Sequence, residues 1–263
     1  VKRLAVCADD YGLGPAVDRG ILALVGQGRI TALSALVTAL RWAQAGPALR
    51  EVGADITGLH FNLTEGEPLS AELRRHWPRF PSLGAVIAQA FLGRLPGALA
   101  GEFEAQLQRF IDVTGRAPAF IDGRQHVHAL PGVRPFVLEA AARLGVPLRN
   151  TGRLPGPGFA FKRRVIEACG GRALVAEMRA RGLRAAPALV GVYGFDPQAD
   201  YRALMRGWLG SAPDGALLFC HPAQGGPDAG DAIGAARVRE MAYLASEAFA
   251  ADLAEFGVTL SGV

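Results

Sequence analysis

"RLAVCAD" (residues 3–9) followed by "DRGILALVGQG" (residues 18–28) decides how this chain is to be read. The first stretch is a short apolar run that ends on an acid. In the second, apolar residues recur at three- and four-residue spacing and a glycine stops the pattern, as in an amphipathic helix. A strand that feeds a helix is the unit from which parallel sheets are built.

The same unit recurs along the chain. Further strand-like runs are "ALSALVT" (32–38), "DITGLHFNL" (55–63), "PAFIDGRQHVH" (118–128), "VPLRNT" (146–151), "PALVGVYGF" (187–195), "ALLFCHP" (216–222) and "VTLSG" (258–262). Helical patterns lie between most of them, among them "VRPFVLEAAARLG" (133–145) and "RVIEACGGRALVAEMRARG" (164–182). The count favours an irregular (β/α) barrel of seven or eight parallel strands in one domain, residues 1–263, with an open doubly wound sheet as second choice. Residues 64–98 break the rhythm, being rich in Pro and Gly, and read as an insertion with a short helix. Trp77 and Phe80 within it are candidates either for stacking on a sugar or for packing a lid.

Composition narrows the function classes. Half of the 263 residues are hydrophobic and a fifth are charged, enough for a large core. The net charge is +4, but only two residues of the basic set, Lys2 and Lys162, are lysines, and the arginines are scattered. A nucleic-acid binder would concentrate them on one element. Three widely spaced cysteines make no disulfide framework. No apolar run has the length of a membrane span. The expectation is a soluble, cytoplasmic protein with no nucleic-acid partner; a homodimer is left open.

The informative residues sit where the strands end. Strand one ends in Asp9-Asp10, strand three carries His60, strand four runs from Asp122 to His128, strand five reaches Arg149, and "FCHPA" presents His221. In a β/α barrel the C-terminal strand ends form one rim, where the chemistry resides. Each residue alone has a plain structural reading: Asp10 as a helix cap, Cys7 and Cys220 as core fillers, a lone His as a hydrogen-bonded structural group. Asp122, Arg124, His126 and His128 alternate, so an extended strand would point all four to one face. Together these groups suit metal-assisted hydrolysis. A bound cation lowers the pKa of water from about 16 toward 7, a carboxylate takes its proton, and a histidine protonates the leaving amine. Phosphate-loop and serine-hydrolase motifs are absent.

"AVCADDYGLGPAVDRGIL", "GLHFNLTEGEPL", "IDGRQHVHALP", "LVGVYGFD" and "LLFCHPA" together resemble the YdjC-like carbohydrate deacetylases, a family that includes chitooligosaccharide deacetylases and relatives acting on glycosylated lipids. The resemblance implies a distorted barrel, a divalent metal (zinc or magnesium), and hydrolysis of an N-acetyl group from an amino sugar or glycolipid. It makes Asp9 the general base, His221 an acid or oxyanion partner, Asp10 a metal-side aspartate and His60 a metal ligand. Arg149 falls near a basic residue that orients the aspartates or the substrate, and Tyr193 flanks the substrate. The family's strand-four motif usually runs Asp-x-His-x-His-x-His, and its first histidine is the metal ligand.

Here that histidine is Arg124. A guanidinium is permanently charged and has no lone pair for a metal, and beside a divalent ion it costs several kcal/mol. Three outcomes follow: Arg124 paired with Asp10 or Asp9 in the cation's place; an ion shifted to His126 or His128, with Asp122 nearby; or a substitution introduced at this position. The functional alternatives are a metal-dependent deacetylase impaired at Arg124, an inactive carbohydrate-binding relative, and a hydrolase of another amide such as a formamide.

Overall fold

The computed structural model describes residues 1–263. The chain runs β1 (Lys2–Tyr11), α1 (Pro15–Gly26), β2 (Ala32–Ala35), α2 (Trp42–Ala45), β3 (Thr57–Phe61), α3 (Ala71–His76), α4 (Leu83–Phe91), α5 (Leu99–Thr114), β4 (Ile121–Gly123), α6 (Arg134–Leu144), α7 (Ala160–Ile166), α8 (Arg172–Ala180), β5 (Leu189–Val190), α9 (Tyr201–Ser211), β6 (Ala216–Cys220), α10 (Gly234–Leu244), α11 (Glu247–Glu255) and β7 (Val258–Leu260). No helix is long and apolar enough to cross a membrane.

All strand pairs are parallel, in the order β4-β3-β2-β1-β6-β5, with β7 pairing the first residues of β1. The sheet curls into an incomplete barrel. Its gap is bridged by the segment 148–153: Leu148 forms a single parallel bridge with Ile121, and Arg153 accepts a backbone hydrogen bond from Leu189 at 3.0 Å. The strand expected over 146–151 is therefore one bridge, where Pro147 has no N–H to contribute. The strand expected over 187–195 stops at Val190. Gly191 adopts φ +116°, and a Cβ there would lie 2.4 Å from the Phe219 carbonyl oxygen, so only glycine fits.

Strand alternation sorts the core into two parts. Ala5, Cys7, Leu217, Leu189 and Phe219 fill the barrel interior with Phe120 and Leu154. Leu4, Val6, Ala8, Leu218 and Cys220 face outward onto the helices. The inward parity of Cys7 and Phe219 continues to Asp9 and His221, which is how two polar residues reach the top of an otherwise apolar interior.

The insertion holds two short helices, α3 and α4, instead of one. Trp77 and Phe80, each 8 % exposed, pack into the main core, so they hold the insertion down and are not the sugar platforms envisaged above. The N-terminus of α1 is capped from afar: Asp228 accepts from the backbone N–H of Ala16 and Val17 at 3.1 and 3.3 Å. That contact draws the segment 228–233 across the mouth of the barrel.

Candidate active site

Neighbouring strand residues normally face opposite ways, yet Asp9 and Asp10 both border one cleft. The register of β1 against β2 is irregular between Ala8 and Tyr11, and Asp10 has φ +73°. Aspartate tolerates this left-handed conformation better than most residues, and it swings the second carboxylate round toward the first.

Asp9 is fixed from below. Arg149 donates Nη1 to Oδ2 and Nη2 to Oδ1, both at 2.6 Å, and its Nη2 also rests on Asp122 Oδ2. Asp122 is fully buried and its Oδ1 accepts from Ser34 Oγ at 2.5 Å and meets His60 Nδ1 at 2.6 Å. Burial opposes the charge on Asp122, but Arg149 and His60 outweigh it and hold the carboxyl down at about 2. Burial likewise opposes charge on His60. Asp122, Asp9 and Asp10 overcome it and raise the ring to about 9. With carboxylates at both ring nitrogens, Asp122 at 2.6 Å and Asp10 at 3.5 Å, the imidazolium is the stable form.

Asp10 is met from above. Arg124 Nη1 contacts its Oδ1, and Arg237 Nη2 reaches its Oδ2 at 2.6 Å. Arg124 also pairs with Glu65, and Arg237 Nε donates to Asp231 at 2.6 Å. Burial works against ionisation of Asp10, and the two guanidinium groups reverse that, leaving its carboxyl well below the usual range.

His221 takes its place from Glu240, a buried carboxylate on α10. Glu240 Oε2 accepts the His221 backbone N–H at 2.5 Å, and its Oε1 accepts the Tyr193 hydroxyl at 2.5 Å. The His221 ring stands edge-on to Phe195 and Phe219, with centroids 5.0 and 5.4 Å away. Phe219 is a floor shared with His126, whose ring lies 5.6 Å away, and with Arg149, whose Cζ lies 5.8 Å from the ring centroid.

The strand-four motif does not run as a strand. β4 ends at Gly123, and Arg124–Ala129 form a tight 3-10 turn broken by φ +50° at Gln125 and +65° at His126. The one-face alternation is lost. Arg124 and His126 reach the cleft, whereas His128 is fully buried and points Nε2 at the Arg149 carbonyl, 3.0 Å away. A Cβ on Gly123 would sit 2.8 Å from the His128 backbone nitrogen, so the reversal needs glycine there. Burial pushes His128 down to about 4, and burial followed by the nearby Arg149 pushes His126 down as well. His128 and Asp122, candidates for metal or substrate, are therefore sealed behind the site, as is Arg149, 3 % exposed, which braces Asp9 and is not on the cleft wall.

The cleft has a volume of about 680 Å³. Asp9, Asp10, His60, Arg124, His126, Tyr193 and His221 border it, together with Leu13, Leu83, Ile166 and Val192 as apolar wall. Phe195 borders it as well. Sequence reasoning missed Ser34, Glu65, Lys162, Arg237 and Glu240. Arg237 and Glu240 left one readable trace: both fall on the inward stripe of α10, where charged residues are out of place unless paired.

Residues 3–255 match the model of the YdjC-like protein family, and the chain belongs to that family. It is 38 % identical over 150 residues to a chitooligosaccharide deacetylase of Enterobacter sp. (strain 638), covering 56 % of this chain and 59 % of that one. To a carbohydrate deacetylase of Mus musculus it is 37 % identical over 158 residues, covering 55 % and 48 %. The chain thus spans about half the length of these curated relatives. An Enterococcus faecalis V583 protein, provisionally named for cellobiose-phosphate cleavage, shares the fold with TM-score 0.75 at 23 % identity, covering 99 % of this chain and 97 % of its own. A polysaccharide deacetylase of Bacillus cereus superposes with TM-score 0.50 at 11 % identity, covering 100 % and 92 %.

The divalent ion implied by this family does not fit the residues present. Both oxygens of Asp10 are engaged by guanidinium groups, and one of these, Arg124, stands at the position of the usual ligand histidine with a permanent charge and no lone pair to give. Three other donor-type side chains, Cys7, Asp9 and Asp122, do converge within 4.8 Å of one another. Their common partner is Arg149, whose Nη2 reaches Cys7 Sγ at 3.3 Å and both carboxylates. Burial pushes the Cys7 thiol well up, away from the thiolate that binds metals.

Proposed function

We propose that this chain is a carbohydrate N-deacetylase in lineage and site design, a hydrolase for the N-acetyl group of an acetylated amino sugar or glycoconjugate, with that hydrolysis impaired by Arg124. The observation that carries the reading is the pairing of a braced carboxylate, Asp9, with a positioned histidine, His221, on one cleft. Family membership and the deacetylase names of the relatives support it.

Amide hydrolysis needs a proton acceptor for water and a donor for the departing nitrogen. Asp9 takes a proton from the attacking water as oxygen adds to the acetyl carbon. His221 gives a proton to nitrogen as the C–N bond breaks, leaving acetate and an amine. Phe219 and Phe195 offer apolar faces for a sugar ring beside these groups. Such a substrate and the absence of a disulfide framework go with a cytoplasmic setting.

A second reading, a carbohydrate-binding relative without turnover, is favoured by one contact, Arg124 on Asp10. Acetate release from a panel of N-acetylated amino sugars, assayed with zinc for this chain and Arg124→His side by side, tests both. Release by the variant alone supports the impaired deacetylase. Sugar binding without release by either protein supports the binding relative, and neither binding nor release sinks the carbohydrate reading.

A further inference from the structure

Asp10 has two carboxylate oxygens, and a different arginine meets each: Arg124 Nη1 on Oδ1, and Arg237 Nη2 on Oδ2 at 2.6 Å. Neither arginine is free to leave. Arg124 is held at its other arm by Glu65, and Arg237 is held through Nε by Asp231 at 2.6 Å. Arg237 is 1 % exposed, and the Arg124 side chain is 15 % exposed. Two guanidinium groups and three carboxylates thus alternate in one chain of ion pairs, Glu65–Arg124–Asp10–Arg237–Asp231, that joins β1, the loop after β3, the turn after β4, the segment 228–233 and α10.

We infer that Arg124 and Arg237 form a permanent guanidinium clamp on Asp10, standing in for the divalent cation that the family resemblance implies, so that this chain binds neither zinc nor magnesium at Asp10 and His60. The inference rests on the family reading only for what the clamp replaces; the clamp itself rests on the contacts just described.

The left-over hydrogen-bonding groups point the same way. A cation site presents acceptors in need of a partner. On the two arginines that touch Asp10 the buried groups without partners are donors, Arg124 Nε and Arg237 Nη1, and both Asp10 oxygens are taken; the other unpartnered groups on the cleft are the ring nitrogens His126 Nδ1 and His221 Nδ1. Guanidinium can neutralise a carboxylate bidentately or through separate arms, but it cannot release a proton to become a ligand. The clamp therefore does a cation's structural work, holding Asp10 in its left-handed conformation at φ +73°. It does not open a coordination position.

Calorimetric titration of the EDTA-treated full chain with zinc, then with magnesium, tests this without any substrate. The expected result is no one-to-one binding at concentrations up to about 1 mM, and the same melting temperature with EDTA as with zinc. Arg124→His, which returns a lone pair and removes a charge, is expected to bind one zinc at least on the order of 100-fold tighter than this chain, with a zinc-dependent rise in melting temperature. If that variant does not fold, Arg124→Gln serves in the same titration, since it also removes the guanidinium, and a gain in zinc affinity is again expected. One equivalent of zinc bound tightly by the unaltered chain and lost in Asp10→Asn would overturn the clamp. So would folded Arg124 variants that gain no zinc affinity. An unaltered chain that binds no zinc, with an Arg124→His variant that gains zinc but still releases no acetate, keeps the clamp and loses the deacetylase reading, while tight zinc binding and acetate release by the unaltered chain do the reverse.

Discussion

Arg149 grips both oxygens of Asp9, at 2.6 Å each, from a position 140 residues away in sequence and almost wholly out of reach of water. The same guanidinium contacts Asp122, so one cation balances two buried carboxylates. Removing one partner of such a set leaves uncompensated buried charge, which typically costs about 3–5 kcal/mol. Arg149→Met is expected to lower the unfolding free energy read from urea titration by that amount, and Arg149→Lys by less, because the ammonium keeps the charge although it cannot serve the two oxygens of Asp9 in parallel. An unchanged midpoint in Arg149→Met would mean that Asp9 and Asp122 share a proton instead.

Asp9→Asn separates bracing from chemistry. The amide keeps one acceptor for Arg149 but cannot take a proton from water. Any acetate release by this chain, or by Arg124→His, is expected to fall by about 10²–10⁴, with the far-UV circular dichroism unchanged. Near-full turnover in this variant would remove Asp9 as the base.

Glu240 holds the site from the opposite wall. Its two oxygens accept from the His221 backbone and the Tyr193 hydroxyl, both at 2.5 Å. Glu240→Gln turns one acceptor into a donor facing a donor, a conflict expected to cost about 1–3 kcal/mol. Thermal melting checks the cost, and the ring signals of His221 in a proton–nitrogen spectrum should shift with it. Tyr193→Phe removes the donor on that side and should recover part of the loss in the double variant.

The His60–Asp122 pair sets a window of pH stability. His60 is raised from its ordinary value of 6.5 to about 9, so its stabilising share is complete below 6.5 and fades as pH rises toward 9. Asp122 is lowered from 3.8 to about 2, so its share is complete above roughly 4 and is lost as pH falls toward 2. The expected profile of urea midpoint against pH is a plateau between these limits with a decline on each side. The alkaline decline should vanish in His60→Asn. A decline that survives that substitution assigns it to another group.

Much of this site was readable because barrel topology converts chain order into a rim. Asp9, His60 and His221 could be placed from the ends of apolar runs alone, since inward parity carries them to the barrel mouth. What was not readable has three physical causes. The alternation from Asp122 to His128 assumed an extended backbone, and a glycine followed by two left-handed residues reversed it, sending His128 under the site. The barrel's closing segment at 148–153 pairs through single contacts, which leave no period in the sequence. Arg237 and Glu240 act from a helix whose apolar period looks ordinary, and only the charges lying on its buried stripe mark it.

Trp77 and Phe80 show the same limit in the insertion, and they supply the last test. Aromatic residues in a Pro- and Gly-rich segment near the cleft invite a stacking role, but both side chains are 8 % exposed and neither borders the cleft. Trp77 closes the short helix α3, donating its backbone N–H to Leu73 at 2.7 Å, and Phe80 ties back to Gly66 through a 3.0 Å backbone hydrogen bond. Truncating a buried aromatic typically costs about 3–5 kcal/mol through lost contacts and the cavity left behind. Trp77→Ala is therefore expected to lower the melting temperature by several degrees while leaving sugar affinity of the folded fraction within about twofold. A platform role would reverse the pattern, with stability kept and sugar affinity lost by about 1–3 kcal/mol, so calorimetry on the folded variant decides between the two.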